Sequence, residues 1–159
     1  MKFLPLIFLI ICSCSNVDYA DGINCPFDRL PIKIVTNDDA VLESIDIWNN
    51  LFHYELFVQS YYDGVEVSYV DGFDKNWFAV TYNSCDDEFK KKSSIEIKNG
   101  LSYNHKLAVI SHELGHVLGL PHTDYGIMVR VVAPWNYNEI VDRVDLMYND
   151  VVDLYQDYL

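Results

Sequence analysis

Three histidines and one glutamate stand close together in the sequence: His112, Glu113, His116 and His122. On an α-helix, His112 and His116 lie one turn apart on the same face, so both imidazoles can bind one metal ion. Neutral imidazoles suit zinc, and a catalytic zinc keeps a fourth position for water. Glu113 is close enough to take a proton from that water as it attacks a carbonyl carbon. These residues predict a zinc site that hydrolyses peptide bonds, with His122 as the third ligand.

The segment that carries the first two histidines is predicted to be a helix that ends near Gly119. Its apolar residues recur at helical spacing and are expected to face the core, away from the histidines: Leu107, Ile110, Leu114 and Val117. Gly119 permits the left-handed backbone that stops a helix, and Pro121 prevents the helix from continuing. The chain is therefore expected to turn back and bring His122 to the metal.

The sequence His-Glu-Leu-Gly-His-Val-Leu-Gly-Leu-Pro-His at 112–122 resembles the metzincin signature His-Glu-x-x-His-x-x-Gly-x-x-His and looks most like the matrixin branch. Metzincins also have a turn with a methionine beneath the zinc, the Met-turn, and residues 124–128 are similar to it. The resemblance implies an α+β fold of metzincin type, with a small twisted mixed sheet and two helices above the cleft. The Met-turn and a C-terminal helix would lie below it. It also implies that Glu113 is the general base and that Met128 forms the floor of the site.

Two further features of this region follow from the resemblance. Astacin and serralysin relatives have a tyrosine two residues after the Met-turn methionine; Arg130 stands there, so no such role is expected. Residues 129–134 are expected to form a wall of the pocket for the residue after the scissile bond. Trp135 and Tyr137 either help to line that pocket or pack in the core.

The remaining chain predicts the elements that position these residues. Alternating or continuous apolar residues predict strands at 32–35, 65–69, 77–82 and 94–98. A first amphipathic helix is expected to follow the cap residues 36–38 and to reach Phe52, and a closing helix is expected from 138 or 139 to 158. By resemblance, strand 94–98 is the edge strand that pairs with an extended substrate; the alternative is an ordinary strand of the sheet. His53 and His105 are expected to be surface or hydrogen-bonded histidines.

Charge limits the partners of the protein. There are 24 acidic against 11 basic residues, a formal net charge of −13, which argues against nucleic acid and favours basic polypeptide substrates. Asp71 and Asp74 stand in a predicted turn and could hold calcium, which matrixins often bind; a solvated turn is the alternative. The sequence gives no basis for an oligomer, and we expect a monomer.

The N-terminus predicts export. Residues 1–20 read as an export signal, with Lys2 followed by an apolar run at 3–12 that is too short to span a membrane. Residues 11–14 resemble a bacterial lipoprotein box, which implies cleavage before a lipidated Cys14. The alternative is cleavage after Ala20 and free secretion. A single metalloprotease domain is expected at 21–159.

Two cysteines remain in the predicted domain, Cys25 and Cys85. In an oxidising compartment one disulfide between them is the simplest pairing. The alternative is that Cys25 occupies the zinc, as a cysteine does in matrixin zymogens, although the residues around that switch are missing here.

Two other functions are compatible with the same histidines. One is a zinc-binding or protein-interaction lipoprotein without catalytic activity. A structural zinc normally has four protein ligands, however, and Glu113 would have no evident use there. The other is an aminopeptidase. The third histidine after Gly119 argues against it, because the other large group of zinc proteases takes its third ligand from a more distant acidic residue.

Overall fold

One five-stranded sheet and four helices form the part of the chain that the computed structural model describes, residues 26–73, 77–85, 90–130 and 132–156. The strands are β1 (Ile32–Val35), β2 (Phe57–Ser60), β3 (Val65–Val70), β4 (Ala79–Cys85) and β5 (Lys90–Lys98). The helices are α1 (Asp39–Phe52), α2 (Tyr103–Leu118), α3 (Tyr137–Asp145) and α4 (Tyr148–Tyr155). The predicted α+β class is confirmed at this level. None of these helices is long and apolar enough to cross a membrane.

The strand order corrects one expectation about the sheet. The strands are arranged β2-β1-β3-β5-β4, and every neighbouring pair is parallel except β4 with β5. The predicted strand 94–98 belongs to β5, which lies between β3 and β4 and is therefore not an edge strand. The edge on this side is β4, because it folds back beside β5 with Thr81 opposite Ile95. β4 also starts later than predicted, at Ala79, and β5 starts earlier, at Lys90.

Helix α1 forms where the sequence predicts it, because its first turn is capped. Asp38 is the N-cap, and its Oδ1 accepts a hydrogen bond of 2.8 Å from Ala40 N. The helix ends at His53, whose backbone is left-handed with φ 50°. Trp48 is fully buried, and its Nε1 donates to Ser111 O of α2 at 3.1 Å. This bond helps to fix α1 against the helix that carries the histidines.

Helix α2 ends as predicted and is buried over most of its length. Gly119 has φ 101°; its N–H donates to His116 O at 3.1 Å, and Leu120 N donates to Gly115 O at 2.9 Å, which closes the helix with a left-handed cap. Every residue from 107 to 115 is buried, the first histidine included. The predicted core residues of this helix are buried, and burial extends to the side that carries His112, because α1, β4 and the loop that follows α2 cover the helix on several sides.

The predicted closing helix is two helices. The apolar spacing of Ile140, Val144, Met147 and Val151 continues through the region, and all four side chains are buried. At Met147 the backbone leaves the helical region, with φ −90° and ψ 2°, and Met147 N bonds to Val144 O at 2.9 Å. This tighter turn separates α3 from α4, and α4 packs against the end of α2, where Tyr155 OH donates to Leu118 O at 2.9 Å.

Candidate metal centre

The three histidines of the motif meet at one point in the structure. The ring nitrogens that His112, His116 and His122 offer to a metal all lie within 4.8 Å of one another. The ring centroids are 4.7 to 5.3 Å apart. Three imidazoles at this separation could bind one metal ion.

Backbone carbonyls orient the two histidines of α2. His112 Nδ1 lies 2.7 Å from Ile127 O, and His116 Nδ1 lies 2.9 Å from Leu120 O. A carbonyl oxygen only accepts, so each Nδ1 carries the proton and donates it. In a neutral ring Nε2 then holds a lone pair. Both carbonyls belong to the loop after α2, so the fold of that loop fixes which nitrogen faces the site.

One close pair of ring nitrogens and one buried nitrogen without a partner among the described residues indicate that a cation fits here. His112 Nε2 and His116 Nε2 are 3.1 Å apart. Two lone pairs facing each other at that distance repel, and a positive ion between them would remove the repulsion. His122 Nε2 is buried and has no hydrogen-bond partner among the described residues. A buried polar atom without a partner is costly, and a metal ligand bond would satisfy it.

The environment keeps at least two of the imidazoles neutral. Burial lowers the pKa of His112 to about 3. The pKa of His122 falls to about 4, first because of burial and then because of the positive charge of Arg130, whose side chain is exposed. A neutral imidazole is the form that binds a metal, so protons compete weakly at neutral pH.

Glu113 is fully buried beside His112 and is held by strand β4. Thr81 Oγ1 donates to Glu113 Oε2 at 2.6 Å and also lies 3.3 Å from Glu113 O. An O–H donor at this short distance is typical of a carboxylate acceptor. The predicted base therefore has a fixed carboxylate rather than a solvated one.

Met128 packs against helix α2 at Gly115. Its side chain is fully buried, and a Cβ added at Gly115 would overlap Met128 Sδ. Gly115 directly precedes His116, so the methionine packs against the turn of α2 that carries the first two histidines. The loop is held by bonds of 3.0 Å from Thr123 N to Met128 O and from Ile127 N to Arg143 O.

Other residues around the centre could not be identified from the sequence. Asn83 Nδ2 donates to His116 O at 3.2 Å, and Ser93 Oγ donates to Asn83 Oδ1 at 2.8 Å. The sequence contains one signal for these residues: Thr81 and Asn83 are two positions apart, so in a strand both polar side chains lie on one face. Without the strand order, nothing indicated that this face meets α2.

Several predicted residues lie outside what the structure describes. Cys14, Cys25 and Asp74 are not among the described residues. Cys85 is disulfide-bonded, and its pairing with Cys25 stays a prediction. Asp71 Oδ1 accepts a hydrogen bond of 3.0 Å from Asn99 Nδ2, and calcium binding at this turn stays a prediction.

The two histidines outside the motif are not part of the cluster. His53 is exposed at the end of α1. His105 differs from expectation: it is buried against Phe78, with ring centroids 4.7 Å apart, and its Nε2 has no partner among the described residues. Neither histidine joins the cluster of three.

No protein-family model matches this chain, and no curated protein is significantly similar to it in sequence. The resemblance to metzincins therefore depends on the motif residues themselves and on their arrangement.

Proposed function

We propose that this protein is a zinc-dependent endopeptidase of the metzincin type, similar to the matrixin branch. The proposal depends on one observation: three imidazoles have ring nitrogens within 4.8 Å of one another, and a fully buried carboxylate lies on α2, the helix that carries two of them. The three ligands would be His112, His116 and His122, and the carboxylate is that of Glu113. Three histidines with no fourth side chain in the described cluster suit a catalytic zinc better than a structural one.

The roles of the residues follow from their placement. Zinc, when bound, supplies a Lewis acid that acidifies water and polarises a carbonyl oxygen. Glu113 takes a proton from the attacking water and returns it to the nitrogen of the leaving amine. Met128 packs beneath the turn of α2 that carries two of the ligands and limits the movement of that turn.

The substrate would be an extended polypeptide. Strand β4 is at the edge of the sheet and carries Thr81, which contacts Glu113. An extended peptide that pairs with such an edge is held by backbone hydrogen bonds, which depend little on its side chains. The excess of acidic residues favours substrates with basic side chains. The N-terminal sequence supports export, with either a lipid anchor or free secretion.

The proposal is tested by cleavage of an unfolded protein. The purified, zinc-loaded protein is incubated with a reduced, unfolded polypeptide, alone, with a chelator, and as Glu113→Gln. Glutamine keeps an acceptor for Thr81 and cannot act as a base, so zinc content should stay at one per chain. Cleavage should fall by roughly 10²- to 10⁴-fold.

Two results would contradict the proposal. Cleavage by Glu113→Gln at the parental rate would assign the activity to another residue or to a contaminant. A parent chain that holds one zinc and cleaves no peptide bond would favour the zinc-binding lipoprotein instead.

A further inference from the structure

We propose that Thr81 is a positioning residue, whose hydroxyl fixes the carboxylate of Glu113 in the orientation that peptide hydrolysis requires. The inference rests on the proposed function, because it assigns a second residue to the same reaction. Thr81 acts through Glu113 and not on the substrate itself.

The contact between the two side chains is buried and short. Thr81 is 6 % exposed and Glu113 is 0 % exposed. The distance of 2.6 Å from Thr81 Oγ1 to Glu113 Oε2 lies in the range of charge-assisted O–H···O⁻ bonds. With Oε2 held, rotation of the carboxylate is restricted, and so is the range of directions in which Oε1 can point.

Orientation matters because a general base must reach its proton within hydrogen-bond distance, roughly 2.6–3.2 Å. A misplacement of about 1 Å can reduce a rate by about 10²-fold. A glutamate side chain has three rotatable bonds, and a hydrogen bond from a neighbouring strand restricts rotation about the last of them. The stiff χ1 of threonine keeps Oγ1 directed at the carboxylate.

The position of Thr81 in the sheet adds a second consequence. Thr81 belongs to β4, the edge strand, where it pairs with Ile95 of β5. Its backbone is part of the strand with which an extended substrate would pair, while its side chain reaches the base. Thr81 would thus contribute to substrate binding through its backbone and to the orientation of Glu113 through its side chain.

The kinetic test compares Thr81→Val with Thr81→Ser in the zinc-loaded full chain. Valine keeps the shape and removes the hydroxyl, so kcat should fall roughly 10- to 100-fold, with KM within about twofold of the parent. Zinc content should remain one per chain. Serine restores the donor and should recover most of the lost kcat.

Thr36→Val is the matched control. Thr36 is also a buried threonine, 8 % exposed, and its Oγ1 accepts from Asp38 N at 3.0 Å, near the start of α1. This variant should keep the parental kcat. If Thr81→Val also keeps it, the positioning role is overturned, while the proposed function stands.

A second readout does not need activity. In the metal-free protein, urea unfolding of Thr81→Val, Glu113→Ala and the double variant measures the coupling between the two side chains. Thr81→Val should raise the unfolding equilibrium constant roughly tenfold in the parent and by less than about twofold in the Glu113→Ala background, since the partner is then absent. Equal effects in both backgrounds would overturn the proposal. A parent that binds zinc but cleaves nothing would instead overturn the proposed function, and the role of Thr81 with it.

Discussion

The three histidines of the centre are positioned in different ways. His112 and His116 come from one helix and each donates Nδ1–H to a loop carbonyl. His122 follows Gly119, whose left-handed backbone ends that helix. Its Nε2 is buried without a partner among the described residues. Replacing His122 therefore breaks no hydrogen bond of Nε2 within the described part of the protein, and the effect on metal binding can be measured separately from the effect on folding.

We expect His122→Ala to weaken zinc binding by at least about 100-fold, because one of three ligands is lost. Competition with a chromophoric chelator measures the affinity. The control is His53→Asn, since His53 is exposed with φ 50° and asparagine tolerates that backbone. Zinc affinity equal to that of the parent would remove His122 from the ligand set.

Gly115 illustrates a constraint that helix propensity alone would miss. In a helix interior, alanine is usually more stable than glycine by about 1 kcal/mol. Here a Cβ would overlap the sulfur of Met128, which is fully buried. Gly115→Ala should therefore lower the free energy of unfolding by about 1–3 kcal/mol, measured by urea denaturation.

Gly72→Ala serves as the matched control for that substitution. An added Cβ at Gly72 meets no atom within 4 Å, so the free energy of unfolding should change by no more than about 0.5 kcal/mol. A Gly115→Ala variant at least as stable as the parent would show that Met128 moves aside without cost.

At the scale of the elements, local signals were sufficient for the helix ends. The cap at Asp38 and the left-handed Gly119 depend on residues within one turn, and both are where the sequence predicts them. The proximity of His112 and His116 follows from helix geometry in the same way. These features need no knowledge of the rest of the fold.

Features that depend on distant neighbours could not be predicted. The composition of strand β5 is compatible with an edge strand and with an interior strand. Its position in the sheet becomes clear only from its pairing with both β3 and β4. The contact between Thr81 and Glu113 could not be predicted either, because 32 positions separate the two residues and only the fold brings them together. The division of the closing helix at Met147 is likewise set by packing, because Met147 Sδ lies against Gly126 in the loop of the centre.

The N-terminal cap of helix α3 can be tested by its effect on stability. Asn136 Oδ1 accepts from Glu139 N at 3.1 Å, while Glu139 Oε2 accepts from Asn136 N at 2.8 Å, which is a capping box. Asn136→Ala should lower the free energy of unfolding by about 1 kcal/mol. Asn138→Ala, at an exposed position of the same helix, is the control and should have little effect on denaturant midpoints. Equal midpoints for the two variants would mean that the cap does not stabilise the fold.

At the scale of the whole molecule, the N-terminal sequence predicts where the protein resides. If the chain is cleaved before Cys14 and lipidated there, Cys14→Ser should move it from the membrane fraction to the soluble exported fraction. Cys12→Ser leaves the acceptor in place and is the matched control. Fractionation with antibody detection measures both, and a Cys14→Ser protein that stays with the membrane would contradict the lipoprotein prediction.

The pH dependence of folding combines two effects of opposite sign. The formal net charge of −13 means that acidification relieves self-repulsion and favours the folded state. Buried neutral histidines act against this. The ordinary pKa of His112, 6.5, falls to about 3 in the folded chain because of burial, so between these values only the unfolded state takes up the proton. The stability that His112 contributes is present above pH 6.5 and is lost as the pH falls toward 3.

A substitution separates these two effects. For His112 the loss between pH 7 and pH 5 is roughly 2 kcal/mol, from the displacement of its pKa. His112→Asn removes the titrating imidazole and its contribution to the pH dependence of stability, and it leaves the acidic surface unchanged. The metal-free parent, with chelator present, should therefore lose about 2 kcal/mol more than His112→Asn over this interval when both are unfolded with urea. If the two proteins respond equally to pH, His112 is not held neutral by the fold, and the argument that its Nε2 presents a lone pair to a metal loses its basis.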